Sequence, residues 1–372
     1  YNGNQSGNFY SPILRDWIIA TEFDGPGLNV WNCTSGINNF TSTGCWTKGR
    51  APIASDDVVF NASGVGNVNI TNNTIPQDLN SFLVGEDYNG TVHFNPMFAV
   101  GSWGSNALGS QEWNVTNNIT ILNGTMKVYG DYLLAPLGVY NLTDEGHGQI
   151  WHSLNGNITI GSGATLNGVG LGFPRNVGPG VESLDGGSHA GLGGSTSFPT
   201  SIYGNASAPT SLGSGGGDAS TTGGDGGSAI KLKAVDLIRV DGSINMSSIT
   251  AASDNNYGGA GGSIWLDAKN ISGTGSLEAD AFGTTDSGSG GYIRLQYGSI
   301  LEYTGRLSVS TAGKIQAEFG LVWKGVVTFT NNTWPMDWTL NGDIGLRGGD
   351  FGDGDVVNVL GNFDSNDYDI DV

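Results

Sequence analysis

The residues of this chain that have the types and spacing to do chemistry fall into four groups. The largest is a set of asparagines in N-x-[ST] sequons, the acceptor pattern for N-glycan transfer. Sixteen occur, at Asn4, Asn32, Asn39, Asn61, Asn69, Asn72, Asn89, Asn114, Asn118, Asn123, Asn141, Asn157, Asn205, Asn245, Asn270 and Asn331. With 36 Asn and 64 Ser plus Thr in 372 residues, chance would give about six. Such an excess points to an N-glycosylated chain, secreted or displayed on a surface. The second group is the pair Cys33 and Cys45, in WNCTSGINNFTSTGCW. In an oxidising compartment they would close a short loop, a constraint worth roughly 3 kcal/mol. A metal site there would need further ligands, and the closest histidine is His93.

Carboxylates form the third group. Asp56 and Asp57 are neighbours, so in a strand they point to opposite faces, poor geometry for the paired acid and nucleophile of a glycosidase. Asp350, Asp353 and Asp355 lie in GGDFGDGD, where oxygen ligands could gather round a structural calcium ion. The spacing is not an EF-hand, and solvated turn aspartates are the competing reading, as for Asp364, Asp367, Asp369 and Asp371. The fourth group is His and Trp. His147 and His152 stand five apart, which suits neither a helix face nor one face of a strand. Trp103, Trp113 and Trp151 could stack on sugars if exposed, against core or cap packing. G-x-S-x-G and P-loop patterns are absent, and G-x-G-x-x-G matches carry no weight at this glycine content. The expectation is therefore no catalytic residue, and no cofactor beyond that calcium.

Charge and composition narrow the partners. The net charge is −20, from 14 Lys+Arg against 34 Asp+Glu, which argues against nucleic acid, whose phosphates need a basic face. Apolar stretches such as Trp17-Ile18-Ile19-Ala20 fall far short of the ~20 residues that span a bilayer. Ten Trp, 12 Tyr and 14 Phe argue against disorder.

The elements that must position these residues are strands. No segment carries a helical apolar stripe, whereas short alternating runs bounded by Gly, Asn or Asp recur, as at Asp57-Val58-Val59-Phe60 and Asn157-Ile158-Thr159-Ile160. From about 157 to 312 a unit repeats: a Gly-rich loop, a strand, a break, then Gly-Ser-Ile or a variant opening a second strand. Gly226-Gly227-Ser228-Ala229-Ile230 leads to Gly242-Ser243-Ile244, Gly261-Gly262-Ser263-Ile264 to Gly275-Ser276-Leu277, and Gly290-Gly291-Tyr292-Ile293 to Gly305-Arg306-Leu307. Ile158-Thr159-Ile160 with Gly163-Ala164-Thr165-Leu166 reads as an earlier, diverged copy. Ile230 to Ile264 is 34 residues and Ile264 to Ile293 is 29, a period that means stacked units sharing one core. The fold class expected is all-β, a parallel β-helix (β-solenoid) with Gly-rich corner loops and aromatic-rich capping ends. Lys231, Arg294 and Thr159 should face water, and loops at 213–227 and 253–262 should bulge from one corner. Four regions follow: a disulfide-bearing cap or assembly segment over 1–50, with Tyr10, Trp17, Phe23, Trp31 and Trp46; an Asn/Val-rich β region over 51–145; Gly-rich coils over 146–325; and a cap or next coil over 326–372.

Asp56-Asp57-Val58-Val59-Phe60, Leu79-Asn80-Ser81-Phe82 and Tyr88-Asn89-Gly90-Thr91-Val92, with the downstream Gly-Gly-Ser-Ile-Trp-Leu and Gly-Ser-Leu-Glu-Ala units, resemble the glycine-rich parallel β-helix surface proteins of archaea and bacteria, the adhesin-like and autotransporter-like repeats. The resemblance covers about residues 51–312 and implies a passive envelope, adhesive or filament-forming role, with no catalytic residue to carry over. The expected function is that of an extracellular, N-glycosylated structural protein that associates with itself into a filament, sheath or lattice. An adhesin gripping cell-surface glycans is the alternative, and a polysaccharide-active enzyme the third. Eleven of the sixteen sequons fall between Asn32 and Asn157, so that stretch should face outward.

Overall fold

The computed structural model describes residues 25–71, 75–76, 78–95, 111–131, 145–181, 185–194, 201–217, 223–249, 257–283, 287–309, 314–318, 337–340, 344–345, 356–359 and 363–364. Among them the chain is all-β, and its one helical element is a 3-10 turn at Thr43–Cys45. Every strand-to-strand pairing is parallel, and the strands stack coil upon coil in a solenoid-like sheet.

Three ladders organise the coils. The first runs through Leu28–Val30, Asp57–Phe60, Ser81–Val84, the start of Ile119–Val128, the start of Ile158–Asn167, Leu237–Val240, and the second halves of Ser263–Gly273 and Tyr292–Tyr303. Ile37–Asn39, Asn67–Thr71, Thr91–Asn95, the ends of the two ten-residue strands, Ser243–Asn245, Ser276–Glu278 and Arg306–Ser308 form the second. The third takes Gln111–Val115, Gln149–Ser153, Ala229–Ala234, the first halves of Ser263–Gly273 and Tyr292–Tyr303, Lys314–Glu318, Asp337–Leu340 and Val356–Val359. Pairing crosses residue 145 without a break, because Ile119 pairs with Ile158 and Trp113 with Trp151.

The residues aligned by sequence period are the ones that pair: Ile230 with Ile264 and Ile264 with Ile293, Ile244 with Leu277 and Leu277 with Leu307. The diverged copy is out by one strand. Ile158 pairs with Ile238, not with Ile230, whose partner is Gln149. The physical reason is that a coil holds three strands, two of which fuse into one continuous run in the later coils, so three strands read as two.

Strand alternation builds the core. In the first ladder Val58, Phe82, Ile119, Ile158, Ile238 and Ile271 point inward in direct register, all fully buried. The second contributes Val68, Val92, Met126, Leu166, Ile244 and Leu277 in the same way. The residue that opens the second ladder is glycine in seven of eight coils (Gly36, Gly66, Gly90, Gly124, Gly242, Gly275 and Gly305), with Ala164 in the eighth. Close stacking explains this within the stack, where a Cβ on Gly275 would lie 1.9 Å from the Gly242 carbonyl oxygen below. Gly36, at the end, has open space around it and is required instead by its φ of +75°.

Toward the N-terminal coils the core turns aromatic. An unbroken chain of ring contacts joins Phe40, Trp46, Trp31, Phe60, Phe82, Phe94, Trp113 and Trp151, with centroids 4.5–6.2 Å apart. The Cys33–Cys45 disulfide forms and ties the loop that carries Phe40 over this end. Asn29 heads the first apolar file, donating Nδ2–H to the Arg50 carbonyl and accepting the Lys48 N–H, each at 3.2 Å. Tyr10, Trp17 and Phe23 lie outside the described residues. Replacing both cysteines with serine should lower unfolding free energy by about 3 kcal/mol in a urea titration, while the ring chain still protects Trp31 from solvent quenching.

Candidate functional site

The twelve described sequon asparagines are all half-buried or exposed, and Asn4, Asn72, Asn141 and Asn331 lie outside the described residues. The geometry also shows why sequons are so frequent. In a half-buried strand polar, apolar and polar positions alternate, and N-x-[ST] with an apolar middle is that alternation. Asn39, Asn69, Asn114, Asn118, Asn157, Asn245 and Asn270 are each followed by a buried apolar residue: Phe40, Ile70, Val115, Ile119, Ile158, Met246 and Ile271. Asn89 and Asn123 precede corner glycines Gly90 and Gly124. Only Asn32, Asn61 and Asn205 of the described set are outside both patterns.

Several of these asparagines staple coils together. Asn118 Oδ1 accepts the Asn157 N–H at 2.9 Å, and Asn157 Oδ1 accepts the Leu237 N–H at 3.0 Å, one coil further on. Asn123 Nδ2 donates to the carbonyls of Glu86 (2.8 Å) and Tyr88 (3.2 Å) and to Asn89 Oδ1 (3.2 Å).

The long insertion after Asn167 is the second notable feature. Residues 211–217 are not a strand, yet they hydrogen-bond four neighbouring segments: Gly213 N–H to Gly227 O (2.9 Å), Gly215 N–H to Val177 O (3.0 Å), Gly217 N–H to Asp185 O (2.8 Å), and Ala260 N–H to Ser214 O (2.8 Å). A strand in a sheet has two neighbours. Four are possible here because glycine lets backbones approach, as at the crowded axis of collagen. The described parts of 213–227 and 253–262 are thus largely buried in a glycine lattice rather than bulging as loops; solvating so many backbone groups is replaced by bonding them to each other.

His189 is locked inside this lattice. Its Nδ1–H donates to the Gly261 carbonyl at 2.7 Å, and Nε2 accepts the Ser211 hydroxyl at 2.8 Å. The ring packs between Tyr203 and Tyr292, whose hydroxyls donate to the Leu212 and Tyr203 carbonyls. Burial pushes the imidazole pKa down to about 4, against the pull of the Gly261 hydrogen bond. The Ser–His contact has the spacing of a nucleophile and its base, but both side chains are buried, His189 completely, and the imidazole serves as a neutral bridge between segments. Since the folded-state value lies below the ordinary 6.5, the neutral form is favoured by folding. Stability from His189 is therefore complete above pH 6.5 and is lost as pH falls toward about 4, by about 3 kcal/mol in all. Unfolding midpoints measured from pH 7 to pH 4 should show this slope, and His189→Gln should flatten it.

The remaining candidates separate. Trp113 and Trp151 are buried in the ring chain and cannot serve as sugar platforms; Trp103 lies outside the described residues. Arg294 is also buried, contrary to its expected solvent-facing place, because Trp265 stacks in its register: the Arg294 guanidinium lies 4.7 Å and Lys231 Nζ 3.3 Å from that ring. Lys231 pairs with Asp267 at 3.0 Å. Asp56 and Asp57 diverge, Asp56 to Arg50 and Asp57 to Asn80 and Ser81. His93 meets Tyr129 and His152 meets Glu112, in different coils. Asp350, Asp353 and Asp355 lie outside the described residues, among which no group of three His, Cys, Asp or Glu could hold a metal ion. No helix among them is long and apolar enough to cross a membrane. No protein-family model, no curated protein and no solved structure matches the chain.

Proposed function

We propose that this chain is a secreted, N-glycosylated structural protein of a cell surface, a parallel β-helix with an aromatic end cap that assembles end to end into a filament, sheath or lattice. The observation that carries this reading is the edge of the first coil. Leu28–Val30 and Ile37–Asn39 each pair with a strand on one side. On the other, Val30 N–H donates to Thr47 Oγ1 and Thr47 N–H to the Val30 carbonyl (each 2.9 Å), and Ser42 N–H donates to the Asn39 carbonyl (2.9 Å). That leaves the outward backbone of Leu28 and Ile37 open among the described residues, with side chains 59% and 68% exposed. An edge of unpaired backbone groups beside apolar side chains is a template for another chain. A second copy would add parallel strands at the same ~4.8 Å spacing at Leu28 and Ile37, beside the disulfide loop and Thr47 that cover the rest of this end. Glycans along the sides would block lateral association and leave the ends free.

The polar groups that could do chemistry are engaged in holding coils together, Asp56 by Arg50 and His189 by Gly261 and Ser211, which supports a non-catalytic role. An adhesin would be favoured by an exposed aromatic groove beside residues 176–228; Tyr203 is buried there. Sedimentation velocity tests the assembly. The native chain should form oligomers that grow with concentration, and Leu28→Lys with Ile37→Lys should abolish them. A native chain that stays monomeric, or a variant that assembles equally well, contradicts the reading.

A further inference from the structure

We infer that the fold selects among the sequons, so that N-glycans sit on Asn32, Asn61 and Asn205 and not on Asn123, Asn245 or Asn270. This rests on the secreted, glycosylated reading above. Transfer forms a bond between Asn Nδ2 and the anomeric carbon of a lipid-linked saccharide. The carrier phosphate leaves with the bonding pair of the broken C–O bond, and one Nδ2 proton passes to the transferase's base. The acceptor must therefore present Nδ2 with one hydrogen and a clear approach.

Asn61 and Asn205 do so in the same way. Each turns Oδ1 back to the N–H two residues on, Ser63 or Ser207, at 2.9 Å, which aims Nδ2 away from the turn. Asn205 is exposed and Asn61 half-buried, both outside the ladders. Asn32 is exposed in the disulfide loop.

Asn245 is the natural control. Its Oδ1 accepts the Ser247 N–H at the same 2.9 Å, but its Nδ2 donates to Glu278 Oε2 at 2.8 Å, its register partner in the next coil. Asn270 Nδ2 likewise donates to Asp236 Oδ1 at 3.1 Å. Asn123 Nδ2 is shared among three acceptors of the preceding coil. A sugar on any of these three would have to break a bond that joins stacked coils.

The test is glycopeptide mass spectrometry of the folded full chain after incubation with an oligosaccharyltransferase that accepts N-x-[ST] and its lipid-linked donor, with enzymatic release in heavy-oxygen water to mark occupied sites. Occupancy at Asn32, Asn61 and Asn205 should exceed that at Asn123, Asn245 and Asn270 by about tenfold, the factor represented by one charge-assisted hydrogen bond, as at Asn245 and Asn270, or by neutral ones shared among three acceptors, as at Asn123. Glu278→Ala, which removes the acceptor of Asn245, should raise occupancy at that site alone. Comparable occupancy at both sets, or no response to Glu278→Ala, overturns the selection while leaving the glycoprotein reading intact. No glycan at any site overturns both.

Discussion

Replacing Gly262 with alanine is expected to prevent the chain from folding. A Cβ there would lie 1.7 Å from the Ser228 carbonyl oxygen and 2.7 Å from the Gly227 carbonyl carbon. Both obstacles are backbone, held by their own hydrogen bonds: Ser263 N–H to Ser228 O, and Gly213 N–H to Gly227 O. No rotamer change can relieve the overlap, and moving one segment shifts the others bonded to it. Interiors packed at crystal density transmit such strain, so the cost should exceed about 4 kcal/mol, the exceptional end of single-residue effects. Gly44→Ala is the control, because nothing lies within 4 Å of its added methyl group. That variant should stay within about 0.5 kcal/mol of the parent. Soluble yield and urea midpoints of the two variants decide the matter. If Gly262→Ala is as stable as Gly44→Ala, the four-neighbour lattice is wrong.

Arg50→Met should carry the second large penalty, about 3–5 kcal/mol, because it strands a buried charge. Asp56 is fully buried and receives two hydrogen bonds from Arg50, at 2.6 and 3.0 Å, besides the N–H groups of Gly27 (2.8 Å) and Ile53 (2.9 Å). Burial alone would raise its pKa; the Arg50 and backbone hydrogen bonds together outweigh that and hold it below the usual carboxylate value. Stability from this group is thus present above the unfolded-state pKa of about 3.9 and lost as pH falls through the lower folded value. Without Arg50 only the backbone hydrogen bonds oppose burial, so the folded-state pKa rises and this acid loss shrinks. Midpoints at pH 7 and pH 3 check both parts, since the variant's deficit relative to the parent should shrink on acidification as the stranded Asp56 carboxylate takes up a proton. Arg50 also donates to the Gly25 carbonyl at 2.8 Å, so the substitution loosens the strap over the first coil as well.

How much of this was legible depended on what each part of the chain needs from its side chains. Strands were readable where alternation is strict, as in Asp57–Phe60 and Ile158-Thr159-Ile160, because burial on one face leaves a period of two. The repeat was readable from Ile230 to Leu307 because Gly-Ser-Ile and its variants mark one corner of each coil. It was obscured earlier by insertion: Ile158 and Ile238 pair directly although 80 residues separate them. A coil of two strands is hard to tell from one of three by sequence, because Ser263–Gly273 and Tyr292–Tyr303 run through a corner with only a bulge, at Ala268/Asn270 in the first, to mark it. Glycine lattice and flexible linker have the same composition, and only backbone bonds among Phe173, Gly213, Gly227 and Ala260 distinguish them. The sequons show the opposite difficulty. Asn118-Ile119-Thr120 and Asn157-Ile158-Thr159 are complete acceptor motifs, yet their asparagines serve as corner staples and their isoleucines as core. A motif made of polar, apolar and polar positions is hard to tell from the strand that produces it.

Electron microscopy of native material that contains this chain tests the proposed end-to-end assembly most directly. Stacked β-helices should give regular filaments or sheets, with strands ~4.8 Å apart and perpendicular to the long axis. Dispersed single particles in that material, with the first coil open to solvent, would contradict self-assembly.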